Sequence, residues 1–209
     1  QTGVKLLDIE LARIDDYSDP KRYEPAFEIA AELGGKHVIS SIWTEDKNLY
    51  LEQFGEICDL AKNYKLTVDL EYVPIASLKN LESVLEVLYT VKRENSGILI
   101  DLHHFHRAGD KIEDLIKVPK EWFHFLHLCD APGEIPTSME EMTRIIREGR
   151  LYIGEGGIDI ADVVGSLPAV PYSIELPNIE QVQKFGYEEH ARLCLQSAKN
   201  FFHKITVSN

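Results

Sequence analysis

Short apolar runs, each ending near a polar residue and each followed by an amphipathic stretch, recur roughly every 30 residues along this chain. That rhythm limits the fold more than any other feature. The runs are residues 4–11 (VKLLDIEL), 37–43 (HVISSIW), 66–73 (LTVDLEYV), 98–102 (ILIDL), 123–129 (FHFLHLC) and 172–176 (YSIEL). Each is short, contains β-branched or aromatic residues, and is bounded by turn or polar residues, so each reads as a strand. Helical signals fall between them. Asp19-Pro20 reads as a cap followed by a first-turn proline, and Gly34-Gly35 stops that helix. Residues 46–63 carry Leu49, Phe54, Ile57, Leu60 and Ala61 at helical spacing, and Ser77 caps a helix with Leu78, Leu81, Leu85 and Leu88 on one face. Thr137-Ser138-Met139-Glu140 is a capping-box pattern opening a helix over residues 139–148, and residues 186–203 form a closing helix.

Strict alternation of strand and helix predicts an α/β fold with a parallel sheet and helices outside it. A regular unit with polar strand ends points to a (β/α)8 TIM barrel, whose active site lies at the C-terminal ends of the strands. The alternative, a doubly wound open sheet, usually carries a glycine-rich phosphate loop after a strand. The one glycine-rich stretch, Gly154 to Gly157, follows no convincing strand and opens no such helix. Six strands are visible, and an eight-stranded barrel needs two more units, about 60 residues. The expectation is therefore a single domain over residues 1–209 that holds strands three to eight, with strands one and two preceding Gln1. No composition break suggests a linker.

Composition narrows the partners. The 209 residues carry a formal charge of −13, which disfavours nucleic acid and anionic membrane surfaces. No apolar run is long enough for a transmembrane helix. The three cysteines, Cys58, Cys129 and Cys194, are odd in number and widely spaced, as expected in a reducing cytoplasm and not in a disulfide framework.

Four consecutive strand ends carry Glu71, Asp101, His127 and Glu175. Glu71 shares parity with Thr67 and Asp69, opposite Val68 and Leu70; Glu175 shares parity with Ser173, opposite Ile174 and Leu176. The period of two therefore turns the carboxylates to one face and the aliphatics to the other. In a barrel the polar face converges on the mouth. Three converging carboxylates repel one another, and a divalent cation resolves that conflict. Three oxygen ligands and one imidazole suit Mn2+, Mg2+, Co2+ or Zn2+.

The segments VDLEYVP, ILIDLHHFHRAG, HFLHLCDAP and SIELP resemble strands of the xylose isomerase-like TIM barrels, the sugar phosphate isomerase/epimerase superfamily. GEGGID at residues 154–159 resembles the turn before the last helix–strand unit there. The resemblance spans the whole visible chain. It implies that Glu71, Asp101, His127 and Glu175 hold one divalent metal ion, with Mn2+ the first choice and Mg2+, Co2+ or Zn2+ the others. It implies that Glu71 and Glu175 are the catalytic acid–base pair, which move a proton beside a metal-polarised carbonyl. It also implies that His104, in an Asp-x-x-His pattern with Asp101, contacts a substrate oxygen. Arg107, Glu10 and Arg13 are further candidates for substrate contact, with a buried barrel ion pair as the alternative for the last two. His103 and His106 read as loop histidines, His124 as a half-buried structural one, and Asp130 as a support for His127 or its loop.

Two departures from the sugar epimerases bear on the substrate. No Arg follows His127 in LCDAPGEIPT, and no second Glu follows Glu71 in YVPIASL. Arg107, Arg144, Arg147 and Arg150 are the cations that would serve an acidic substrate in their place. The expected function is a metal-dependent isomerase or epimerase of a sugar, sugar phosphate or polyol. The alternative is a dehydratase of a keto-polyol such as 3-dehydroshikimate or inosose, in which a β-hydroxyl leaves instead of a proton returning. The expected partner is a small polyhydroxy molecule, and a homo-oligomer is the alternative to a monomer.

Overall fold

The computed structural model describes residues 3–207. Its contacts divide the chain into two compact units, Gln1–Leu99 with Pro119–His124, and Ile100–Val118 with Phe125–Asn209.

In the first unit β1 (Asp8–Ile14), β2 (His37–Ile42), β3 (Thr67–Glu71) and the beginning of β4 (Ser96–Asp101) lie side by side in chain order. All of these pairings are parallel. Almost every residue of β2, β3 and β4 is buried, the signature of parallel strands covered on both faces. Helix α1 (Glu24–Glu32) follows a short 3-10 turn, Pro20–Tyr23, in which the side chain of Asp19 accepts from Lys21 N. Gly34 takes φ +82° beyond the end of α1, a conformation that L side chains resist. Helix α2 (Lys47–Asn63) is capped by Asp46, which accepts from Leu49 N at 3.1 Å. It buries Phe54, Ile57, Cys58 and Ala61. Complete burial of such a Phe or Ile contributes about 1.5–3 kcal/mol. Helix α3 (Leu81–Val91) begins at Asn80, not at Ser77, because Asn80 and Ser83 form a reciprocal capping box.

The second unit contains the end of β4, then α4 (Leu102–Ala108), α5 (Ile112–Leu115), most of β5 (Phe123–Leu128), α6 (Met139–Glu148), α7 (Ile160–Ser166), β6 (Tyr172–Ile174), α8 (Ile179–Phe185) and α9 (Tyr187–Val207). β5 and β6 pair in parallel, with His127 opposite Ser173. Helix α6 has the expected bounds, but its cap lies one residue beyond the start of the box expected over residues 137–140 and is one-sided. Ser138 accepts from Glu141 N, while the Glu141 side chain turns to Arg144.

Two sequence expectations need correction. Residues 102–108 are a helix, not a loop. Asp101 caps it through His104 N, and Gly109, at φ +71°, ends it. The first strand starts at Asp8 and runs to Ile14, so Glu10 lies in its middle and not at its end. A bulge between Glu10 and Ala12 inserts an extra residue and resets the parity that the sequence pattern assumes. The three cysteines are free and buried. Among the described residues no helix is long and apolar enough to cross a membrane.

Candidate metal centre

Strand ends and one loop of the second unit converge on a buried polar cluster. Asp101 closes β4 and is fully buried. Its Oδ1 accepts from His104 N at 3.0 Å, and its Oδ2 accepts from Arg150 Nη1 at 2.5 Å. His127 lies on β5, two residues short of Cys129, and its Nδ1 is 3.1 Å from Glu175 Oε2 and 3.9 Å from Asp101 Oδ2. Glu175 follows β6, and its Oε2 is also 3.1 Å from Arg150 Nη1. One ligand-type atom from each of Asp101, His127 and Glu175 lies within 4.8 Å of the others.

Sequence reasoning treats Arg150 only as a cation for the substrate. The structure buries it to 1% exposure, with Nη1 directed at Asp101 Oδ2, the Glu175 carboxylate and backbone oxygen, and Cys129 Sγ. Burial opposes its charge, yet Asp101, Cys129 and Glu175 more than offset that and hold its pKa above the ordinary value. Burial likewise disfavours the Asp101 carboxylate, but Arg150, with help from His104, keeps it well below the usual range. Two carboxylates against one guanidinium leave the cluster one negative charge in excess. An imidazole and two carboxylates with that excess form a donor set that fits a divalent cation.

The chain around the cluster is built to hold it. The Asp130 carboxylate accepts from Ala131 N, Gly154 N, Gly156 N and Ile158 N at 2.8–3.1 Å, which fixes the GEGGID turn. A Cβ on Gly156 would lie 2.2 Å from Asp130 Oδ1, so only glycine fits there. Asp130 thus supports that turn and, through Ala131 N, the loop that follows β5.

The other expected site residues are placed as follows. His104 is buried in the first turn of α4. Arg107 is 4% exposed; it donates to Pro132 O at 2.8 Å and lies 2.9 Å from His106 Nδ1. Arg144 pairs with Glu141 on the surface of α6, and Arg147 is exposed on the same helix. Glu71, Arg13 and Glu10 belong to the first unit. Glu71 ends β3 and is buried, and in the strand register it is level with Ser41 and, through it, Arg13. Arg13 lies over the Trp43 ring at 4.3 Å and 3.6 Å from Asp15, while Glu10 is exposed. The two therefore do not form a buried ion pair.

His103 and His104 make the cluster acid-sensitive. Burial lowers the pKa of His103 to about 2 and of His104 to about 4. Between those values and the unfolded value near 6.5, the unfolded chain binds protons that the native chain does not. Stability is therefore complete above about pH 6.5 and falls as the pH drops, by at most about 1.4 kcal/mol per pH unit for each histidine. Urea unfolding at about pH 6.5 and about pH 5 is expected to show this loss, and His103→Gln is expected to flatten it. An unchanged slope in the variant would contradict the burial of a neutral His103.

A family model described as "Xylose isomerase-like TIM barrel" matches residues 18–196. The chain is 25% identical over 187 residues to a Bacillus subtilis (strain 168) protein named inosose isomerase, an alignment that covers 85% of this chain and 65% of that one. The chain thus spans less than two thirds of the length of that relative. Among solved structures it resembles the IOLI protein with a binding zinc atom, at TM-score 0.77 and 23% identity, covering 94% of this chain and 76% of that one. It also resembles the probable 3-DHS dehydratase AsbF of Bacillus anthracis, at TM-score 0.69 and 16% identity, covering 93% and 75%. Both likenesses carry the barrel fold.

Proposed function

Since the chain belongs to the xylose isomerase-like TIM-barrel family, we propose that it is part of a divalent-metal-dependent isomerase or epimerase acting on a polyol or sugar. The observation that carries this reading is the grouping of buried Asp101 and His127 with half-buried Glu175 around Arg150. Glu71 is the fourth ligand in this reading. It pairs with Leu99 of β4, and Leu99 shares strand parity with Asp101, two residues on. His127 pairs with Ser173, which shares parity with Glu175 in the same way. A second carboxylate in excess then matches a divalent charge. Mn2+ is the first choice for this oxygen-rich set, and the zinc atom of the IOLI structure keeps Zn2+ beside it.

When bound, the ion supplies Lewis acidity to a substrate carbonyl or hydroxyl and so acidifies the neighbouring C–H. Glu175 accepts that proton on its carboxylate; Glu71, after taking up a proton from solvent, delivers it to the same carbon or its neighbour, and Glu175 releases its own proton to solvent, which restores both carboxylates. Arg150 restrains the Glu175 carboxylate through Oε2 and the adjoining backbone oxygen. His104, in this reading, donates to a substrate oxygen, and Arg13 lies at the strand level where substrate contact is expected.

Arg13 aside, the arginines that would serve an acidic substrate are engaged elsewhere, which favours a neutral substrate. Arg107 and Arg150 are buried against protein partners, Arg144 is paired at the surface, and Arg147 is exposed on α6. The relatives named inosose isomerase agree with a neutral cyclic keto-polyol as the substrate class. The test is proton exchange: the Mn2+-loaded chain in D2O with an inosose, followed by NMR. Deuterium at the carbon beside the carbonyl, with an isomeric product, is expected. A new ultraviolet-absorbing enone would instead support the dehydratase, and no exchange with any keto-polyol would contradict the proposal.

A further inference from the structure

The starts of the strands in the first unit hold a second set of metal-type donors. His37 opens β2, Thr67 opens β3 with Asp69 two residues on, and His124 is the second residue of β5. The Asp69 side chain is wholly buried. His124 Nδ1 lies 2.6 Å from Asp69 Oδ1, and His37 Nδ1 lies 3.7 Å from Asp69 Oδ2. Thr67 Oγ1 donates to Asp69 Oδ2 at 2.9 Å and is 2.7 Å from His37 Nδ1. The two imidazoles stack at 5.3 Å between centroids. Gly97 of β4 leaves room for them, since a Cβ there would sit 2.6 Å from Asp69 Oδ1 and 2.7 Å from His124 Cε1.

We propose that His37, Asp69 and His124 form a structural binding site for a transition-metal dication of the Zn2+ class. One donor atom from each residue lies within 4.8 Å of the others. A zinc ion about 2.0–2.1 Å from each nitrogen spaces its tetrahedral donors roughly 3.4 Å apart. The separations around Asp69, 2.6 Å to Oδ1 from His124 and 3.7 Å to Oδ2 from His37, lie on either side of that spacing. Two imidazoles and one carboxylate favour Zn2+ over the oxygen-seeking Mg2+ and Ca2+. A buried carboxylate needs a compensating cation, and a proton on His124 is the competing one. Asp69 raises the pKa of His124 against the effect of burial, whereas burial lowers that of His37 and favours the neutral ring, the form that ligates a metal. The side chains of His37 and His124 are 13% and 21% exposed, which gives an ion a route in. A bound ion would tie together the starts of β2, β3 and β5, three strands far apart in sequence.

The test uses Zn2+ alone as the probe and the full chain carrying His127→Ala, which breaks the carboxylate centre. Equilibrium dialysis with elemental analysis is expected to find about one Zn2+ per chain, and adding His37→Gln should weaken its binding more than about tenfold. No bound zinc in the first variant, or unchanged affinity in the second, overturns the proposal and leaves a His124–Asp69 proton pair. If the double variant does not fold, NMR of the unsubstituted chain with Co2+ decides. Contact-shifted ring protons of both His37 and His124 support the site, and unshifted rings at saturation overturn it.

Discussion

Replacing Glu175 by Gln is expected to cut turnover by about 10²–10⁴-fold, the range for loss of a positioned acid–base group, while the chain stays folded. Glu175 is 34% exposed, whereas Asp101 and His127 beside it are almost fully buried. It is therefore the group of the three that a substrate reaches most readily. The amide keeps the side chain's shape and its contact with Arg150, so the secondary structure and the Asp101–Arg150 pair should survive. What disappears is the anion that takes up a proton. Affinity for the metal should fall as well, because one charged ligand becomes neutral. Turnover within a factor of about two of the parent would remove Glu175 from the proton-transfer pair.

Arg150→Met is expected to destabilise the metal-free chain by about 3–5 kcal/mol, the usual cost of removing one partner from a buried ion pair. The guanidinium is 1% exposed and lies against two carboxylates. Without it, Asp101 and Glu175 face each other with no fixed positive charge, and Asp101 must take a proton or remain uncompensated. Saturating Mn2+ should restore part of the loss, since a bound cation replaces the missing charge and binding favours the native state. The measurement is urea unfolding of both chains with and without Mn2+. A loss below about 1 kcal/mol would mean that the carboxylates are neutralised some other way.

The order of strands is legible in the sequence because parallel strands buried on both faces read as short apolar runs. Residues 37–43, 66–73, 98–102 and 123–129 each contain an observed strand or most of one. The first strand is displaced from its sequence pattern because a bulge is a backbone event that leaves the alternation of side chains ambiguous. The strand ends point to Asp101, His127 and Glu175, and the structure brings those three together. Arg150 is harder to find. It follows a surface helix and reads as one more solvated cation, and its burial depends on contacts with residues 25 and 49 positions away. The segment from His103 to Arg107 reads as a loop because histidines are weak helix formers. The cap from Asp101 and the stop at Gly109 override that preference. His37, Asp69 and His124 cannot be grouped from sequence, since strand register alone joins residues so distant along the chain.

Every chemical step proposed for this chain depends on a divalent-metal centre built from Glu71, Asp101, His127 and Glu175. The sharpest test of that centre is Mn2+ binding followed by electron paramagnetic resonance, on the parent chain and on the Glu71→Gln and His127→Ala variants. About one bound Mn2+ per parent chain is expected, with an affinity lower by more than about tenfold in each variant. A parent chain that binds no Mn2+, or variants that bind it as tightly as the parent, would contradict the metal centre and the proton transfer that rests on it.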